Sequence, residues 1–149
     1  MSEQNVSHKG HCRCGKVELT ITRPPIMTAA CHCTGCQRMT SSAFSMGALV
    51  PANAFAVTRG EPEIGGLHGD SNHYHCGHCK SWLFSRPTGF ETIVIVKTVM
   101  FDDLRDLPPF METWTSEKLP WASTPAAHSY EQFPPPADLP KLIQQFASR

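Results

Sequence analysis

The chain has no excess of charge of either sign: 13 Lys and Arg stand against 13 Asp and Glu, a formal net charge of zero at pH 7. Its basic residues are scattered rather than clustered, so no sustained positive field draws in a phosphate backbone. Nucleic acid is therefore disfavoured as a principal ligand. No apolar run approaches the roughly 18 residues a membrane span needs, and the opening MSEQNVSHKG lacks the apolar stretch of an export signal. A soluble, cytoplasmic protein with no membrane partner is expected. Internal repeats and low-complexity tracts are also missing, apart from a proline-rich tail around Pro134, Pro135 and Pro136. The expected organisation is one domain over residues 1–149, long enough to bury about two-thirds of its unfolded surface without disulfide staples.

Against these absences, cysteine is plentiful. An odd count of seven in a chain expected in a reducing compartment is a poor disulfide framework and points to metal or thiol chemistry. The cysteines fall into three clusters: Cys12 and Cys14 as CxC, Cys31, Cys33 and Cys36 as CxCxxC, and Cys76 and Cys79 as CxxC. They divide as four plus three. Cys12, Cys14, Cys76 and Cys79 together close a tetrahedral four-thiolate site of the structural zinc type, Gly15 permitting the bend after Cys14 and Gly77 the turn of the CxxC. Cys31, Cys33 and Cys36 supply only three thiolates. Their fourth position is open to water, a substrate thiol or a histidine, and completion by His32, His75 or another side chain would make the site inert. Buried apolar cysteines or a redox dithiol at Cys76 and Cys79 are the competing readings; no βαβ pattern surrounds the latter pair.

The apolar pattern is mainly that of strands. Val17, Leu19 and Ile21 alternate with polar residues until Pro24 and Pro25 end the run. Further strands are expected over Ile26 to Ala30, Ala43 to Val50, Ala54 to Thr58, Ser81 to Ser85, Glu91 to Val99 and Met111 to Thr115. The β-branched run from Thr92 to Val96 reads as a strand buried on both faces. Helix is expected as one turn after Cys36, another near Ser116 to Leu119, and a C-terminal segment from Asp138. In that segment Leu139, Leu142, Ile143 and Phe146 share one face, and Pro140 lies in the tolerant first turn.

GHCRCGKVELTI, CHCTGCQRMTSSAFS and YHCGHCKSWLF, in that order, resemble the glutathione-dependent formaldehyde-activating enzyme family and the related centromere-protein-V-like proteins. The resemblance spans about residues 9–122, with ETWTSEKLPW similar to a later family segment, and leaves the proline-rich stretch and helix of 123–149 outside it. It implies a mainly β fold of the Mss4-like β-tent type, small antiparallel sheets clamped by a structural zinc, with the short C-terminal helix added. It also implies two zinc ions: one structural, on Cys12, Cys14, Cys76 and Cys79, and one labile, on Cys31, Cys33 and Cys36 at the presumed active centre. The activity it implies is that of a carbon–sulfur lyase that reversibly forms S-(hydroxymethyl)glutathione from glutathione and formaldehyde, or handles a related thiol–aldehyde adduct.

Zinc at the trio can bind the incoming thiol as thiolate or polarise the aldehyde oxygen. Three cysteinate ligands give that centre a net charge of −1 and weaken its Lewis acidity, which favours the thiol-holding role. Arg38 and Arg86 are candidate anchors for the carboxylates of glutathione. His32, His73, His75 and His78 are candidate hydrogen-bond donors behind the metal ligands or proton shuttles, while Trp82, Trp114 and Trp121 are expected in or near the core. The alternative to the lyase is a zinc- or glutathione-binding or protein-interaction module without turnover. A nucleic-acid role for such a module is opposed by charge, because seven ionised thiolates and two zinc ions take the loaded protein to about −3.

Overall fold

The computed structural model describes residues 6–67 and 69–149. Its strands are β1 (His8–His11), β2 (Glu18–Ile21), β3 (Met27–Cys31), β4 (Ser45–Pro51), β5 (Phe55–Arg59) and β6 (Pro62–Gly65). They continue with β7 (Ser71–Cys76), β8 (Trp82–Pro87), β9 (Ile93–Lys97), β10 (Met111–Thr113) and β11 (His128–Ser129). Two helices, α1 (Thr34–Thr40) and α2 (Leu139–Ala147), complete the set. The fold is mainly β with a short C-terminal helix.

The strands form two sheets. A three-stranded antiparallel sheet has the order β1-β2-β5, and an eight-stranded sheet runs β11-β10-β3-β4-β9-β8-β7-β6. All pairings in the larger sheet are antiparallel except at one edge, where β10 lies parallel to both β3 and β11.

Register divides the larger sheet into two unlike faces. Ala48 of β4 is opposite Val96 of β9, which in turn is opposite Phe84 of β8. These side chains, with Val50 and Val94, meet Val17, Leu19, Ile21 and Phe55 of the smaller sheet in one buried cluster. The alternation seen at Val17, Leu19 and Ile21 is thus the inward face of β2, where burial of each side chain contributes about 1.5–3 kcal/mol. On the opposite face of the large sheet, α2 lays Leu142 and Phe146 onto Met27 and Met111 at one end. The middle of that face carries Cys31, Ser45, Gly47 and Lys97, since Cys31 is opposite Ser45 and Gly47 is opposite Lys97.

Each expected strand is present, trimmed or displaced by one or two residues at its ends. The longest, Glu91 to Val99, contracts to β9 and passes into a 3-10 turn at Thr98–Met100. Its burial is one-sided rather than two-sided: Val94 and Val96 are fully buried while Ile93 and Ile95 are half-buried, because only one face of β9 has the smaller sheet against it. The strands β1, β6, β7 and β11 carry no apolar alternation. HKGH, PEIG and SNHYHC are polar or glycine- and proline-containing segments that become strands by pairing with β2, β7 and β8. Helix α1 starts before Cys36 because Cys33 is its N-cap, and the expected turn near Ser116 is a 3-10 turn at Thr115–Glu117.

Phe84 is the hub of the aromatic core, stacked on Tyr74 at 4.6 Å and meeting Phe55 edge-on at 4.7 Å between ring centroids. Phe84→Ala should cost about 3–5 kcal/mol of stability, checked by chemical denaturation of the metal-loaded protein.

Candidate metal centres

Two turns from distant parts of the chain build the first centre. After β1 the chain turns tightly, the Gly15 N–H donating to the Cys12 carbonyl at 3.0 Å with Gly15 itself at a left-handed φ of 79°, and Cys12 and Cys14 come together within that turn. The β7–β8 turn brings Cys76 and Cys79 to meet them, and all four sulfurs lie within 4.8 Å of one another. Cys14 Sγ is 3.5 Å from Cys12 Sγ and 3.7 Å from Cys76 Sγ. Sulfurs around one tetrahedral zinc at about 2.3 Å sit roughly 3.8 Å apart, so the cluster is already close to a single ion's ligand cage. Backbone N–H groups of Val17 and Cys79 donate to Cys12 Sγ and Cys76 Sγ, and Ser81 Oγ lies 3.2 Å from Cys79 Sγ. In this turn the left-handed residue is Lys80, at φ 62°, and not Gly77. Gly77 serves differently, because a Cβ there would fall 2.5 Å from a carboxylate oxygen of Glu63.

The second centre is local. Cys31 ends β3, Cys33 caps α1 and Cys36 lies in its first turn, and the three sulfurs are also within 4.8 Å of one another. Cys36 N–H donates to Cys33 Sγ at 3.3 Å, the same contact that Cys79 makes to Cys76. The sulfurs share their charge: hydrogen bonding from Cys36 holds the Cys31 thiol down at about 5, and the same contact pushes Cys36 up. A thiolate is therefore ready for a soft cation at neutral pH. Among the described residues no fourth His, Cys, Asp or Glu joins the group, so both cysteine clusters can hold a metal ion and only the first is saturated by protein.

His32, between two of the three cysteines, is turned away from them. Its ring is wholly buried, and Nε2 donates to Glu112 Oε1 at 2.7 Å. Glu112 also accepts from Ser129 at 2.7 Å, Thr124 at 3.1 Å and Lys118 at 3.3 Å. Burial alone would raise this carboxyl, but the four donors outweigh it and hold it down at about 2. Glu117 accepts from the Thr34 N–H at 2.9 Å, and Gln37 Nε2 donates to the carbonyls of both His32 and Glu117. The ETWTSEKLPW stretch is thus the brace that holds the backbone of the trio.

Lys97 is a further group on the trio's face that sequence reasoning missed. It is 7% exposed, and its ammonium lies 3.5 Å from the centroid of the Trp82 ring. Burial lowers it to about 8, and the charges of Cys36, Cys31 and Cys33 act against that shift. A lysine ending a β-branched strand reads as a solvent-facing terminus, and only the pairing of β9 with β4 places it beside the cysteines.

The other candidates disperse. His73 bonds Ser85 at 2.7 Å, Trp82 Nε1 donates to the same hydroxyl, His75 stacks on Trp82, and His78 is exposed. Arg86 lies over Phe55 and Phe84 on the face away from the trio. Arg38, with Gln37, Ser41, Leu119 and Trp121, lines an open cleft of about 670 Å³ beside α1. Trp82 is buried and Trp114 half-buried, but Trp121 is 74% exposed on the rim of that cleft, not in the core.

Removing the negative charge by Glu112→Gln should destabilise the protein by roughly 2 kcal/mol at neutral pH, the scale of hydrogen bonds to a charged group. Since the folded carboxyl titrates below its ordinary value of about 4.3, its stabilisation is complete above that pH and is lost as pH falls through about 2. The difference in denaturation free energy between the two chains should accordingly shrink in acid and stay constant from pH 5 to 8.

The fold has a counterpart among known structures. A crystal structure of a Rhodobacter sphaeroides protein superposes with a TM-score of 0.55 over 66% of this chain and 91% of that one, at 18% identity, a likeness of fold. A relative from Emericella nidulans named "Putative glutathione-dependent formaldehyde-activating enzyme" is 31% identical over 78 residues. That match covers 51% of this chain and 40% of the relative's length. The model of the family described as glutathione-dependent formaldehyde-activating enzyme matches residues 7–117, which takes in all seven cysteines and the Glu112 brace. By that match, the chain belongs to the glutathione-dependent formaldehyde-activating enzyme family.

Proposed function

We propose that the protein is a zinc-dependent carbon–sulfur lyase that reversibly joins the thiol of glutathione to formaldehyde or a related small aldehyde. The observation that carries this reading is the unequal saturation of the two cysteine clusters: four sulfurs in one, three in the other. Cys12, Cys14, Cys76 and Cys79 are assigned a structural zinc, and Cys31, Cys33 and Cys36 a second, exchangeable zinc. When bound there, zinc supplies a site that holds a thiol in its thiolate form at neutral pH.

The chain's own contribution is arrangement. Addition forms one carbon–sulfur bond, moves the carbonyl π electrons to oxygen and leaves the thiol proton on that oxygen; the reverse direction breaks the same bond. This reaction needs little bond activation, so holding the two partners together is the main source of rate. The His32–Glu112 contact and the Glu117 and Gln37 bonds fix the 31–36 backbone, and with it the directions of the three sulfurs. The cleft beside α1 is assigned to glutathione, with Arg38 offering a guanidinium to a substrate carboxylate and Trp121 a flat apolar wall.

Cys33→Ser should leave the fold and one zinc in place while abolishing glutathione-dependent formaldehyde consumption. Cys76→Ser should remove the cooperative thermal transition, because structural zinc contributes folding free energy directly. Circular dichroism melts, zinc content and the formaldehyde assay on both variants check this. Full turnover in Cys33→Ser would sink the lyase assignment.

A further inference from the structure

The trio's open position and the buried lysine share one face of the large sheet. Lys97 of β9 is opposite Gly47 of β4, and two residues along β4 from Gly47 is Ser45, the partner of Cys31. Gly47 has no side chain, and a Cβ there would come within 3.8 Å of the Lys97 ammonium and 2.9 Å of Ile95. The close approach there is to Ile95, and the ammonium lies at ordinary contact distance from where the Cβ would stand. Trp82 closes over it from β8, its ring centroid 3.5 Å from Nζ. The result is a nearly dehydrated cation held between a glycine and an indole.

A buried ammonium ordinarily has a carboxylate against it, since desolvating an unpaired charge is costly. Among the described residues no carboxylate pairs with Lys97: the ion pairs of Lys80, Lys118 and Arg59 lie elsewhere. The indole face offsets part of the cost. The negative charges that act on Lys97 are the sulfurs of Cys36, Cys31 and Cys33.

We propose that Lys97 is the fixed counter-charge of the three-cysteine centre, a positioning residue that selects an anionic sulfur for the open fourth position. Three thiolates and a divalent ion sum to −1. With the ammonium beside it the centre is neutral, and an arriving thiol can leave its proton in solvent and bind as thiolate without meeting net negative charge. Without Lys97 the same thiolate approaches a centre of −1, a repulsion that a low-dielectric surrounding amplifies. A neutral ligand such as imidazole feels neither effect. Lys97 thereby acts on which ligand the centre accepts.

The proposal rests on the reading of the trio as a metal centre, and one experiment separates the two. Cobalt(II) replaces zinc in the 149-residue chain, and its visible absorption is followed during titration with glutathione and, separately, with imidazole. The four-cysteine cluster is coordinatively full and adds a constant background, defined by the Cys33→Ser chain. In Lys97→Met, glutathione affinity should fall about tenfold or more, while imidazole affinity changes less than about threefold. Equal losses for both ligands, or no loss for either, overturn the counter-charge. Should Lys97→Met fail to fold, Lys97→Arg carries the test: keeping the charge, it should keep the native glutathione-to-imidazole ratio within about threefold, and a tenfold fall in that ratio contradicts the proposal. A native chain that takes up only one cobalt, with no spectrum dependent on Cys33, refutes the metal-centre reading itself and the counter-charge with it.

Discussion

Cys14 and Cys76 are 62 residues apart in sequence and 3.7 Å apart at their sulfurs, and the architecture depends on that convergence. The smaller sheet is short, three strands of four or five residues, and buries only one face. The turn after its first strand meets the β7–β8 turn of the larger sheet at the four-sulfur cluster. The apolar cluster between the sheets supplies most of the burial, but it is non-directional. The sulfur cluster is directional, and it joins the chain just before Val17, Leu19 and Ile21 to the turn that follows β7.

The two cysteine centres are variations on one local device. In each, a CxxC turn gives its first sulfur an N–H donor from the residue three along, Cys36 to Cys33 and Cys79 to Cys76. They diverge in what approaches them. The first receives two more sulfurs from across the molecule. The second receives one, from the end of β3, while the imidazole nearest in sequence is bound to Glu112 in the interior. That diversion of His32 keeps the trio ligand-deficient among the described residues. It also gives the conformation of residues 31–36 a rigid support that consists of the chain's own polar groups and not of the metal.

The parts of this arrangement that were legible in the sequence are those with local signatures. The alternation at Val17 to Ile21 and the apolar stripe of α2 report burial through spacing alone, while the β-branched run of β9 reports a strand but not which of its faces is covered. The cysteines divided as four plus three because the ligand count of zinc is small and integral. Histidine-rich β7 and glycine-containing β6 were invisible because their extended conformation comes from partners, not from side-chain pattern. Glu112 and Lys97 were invisible for a related reason. Each sits in a strand among residues of ordinary type, and only the pairing of β10 with β3 and of β9 with β4 sets it beside the trio. Trp121 shows the opposite error, a large ring expected inside that the structure leaves on the rim of a cleft.

Two zinc sites of unequal saturation on one chain are the premise of the proposed chemistry. Native mass spectrometry of the protein during a graded titration with a zinc chelator tests it most directly. Two zinc ions per chain are expected, the first removed without loss of the folded charge-state distribution and the second only with unfolding. A single zinc per chain, or two that leave together with the fold, would contradict it.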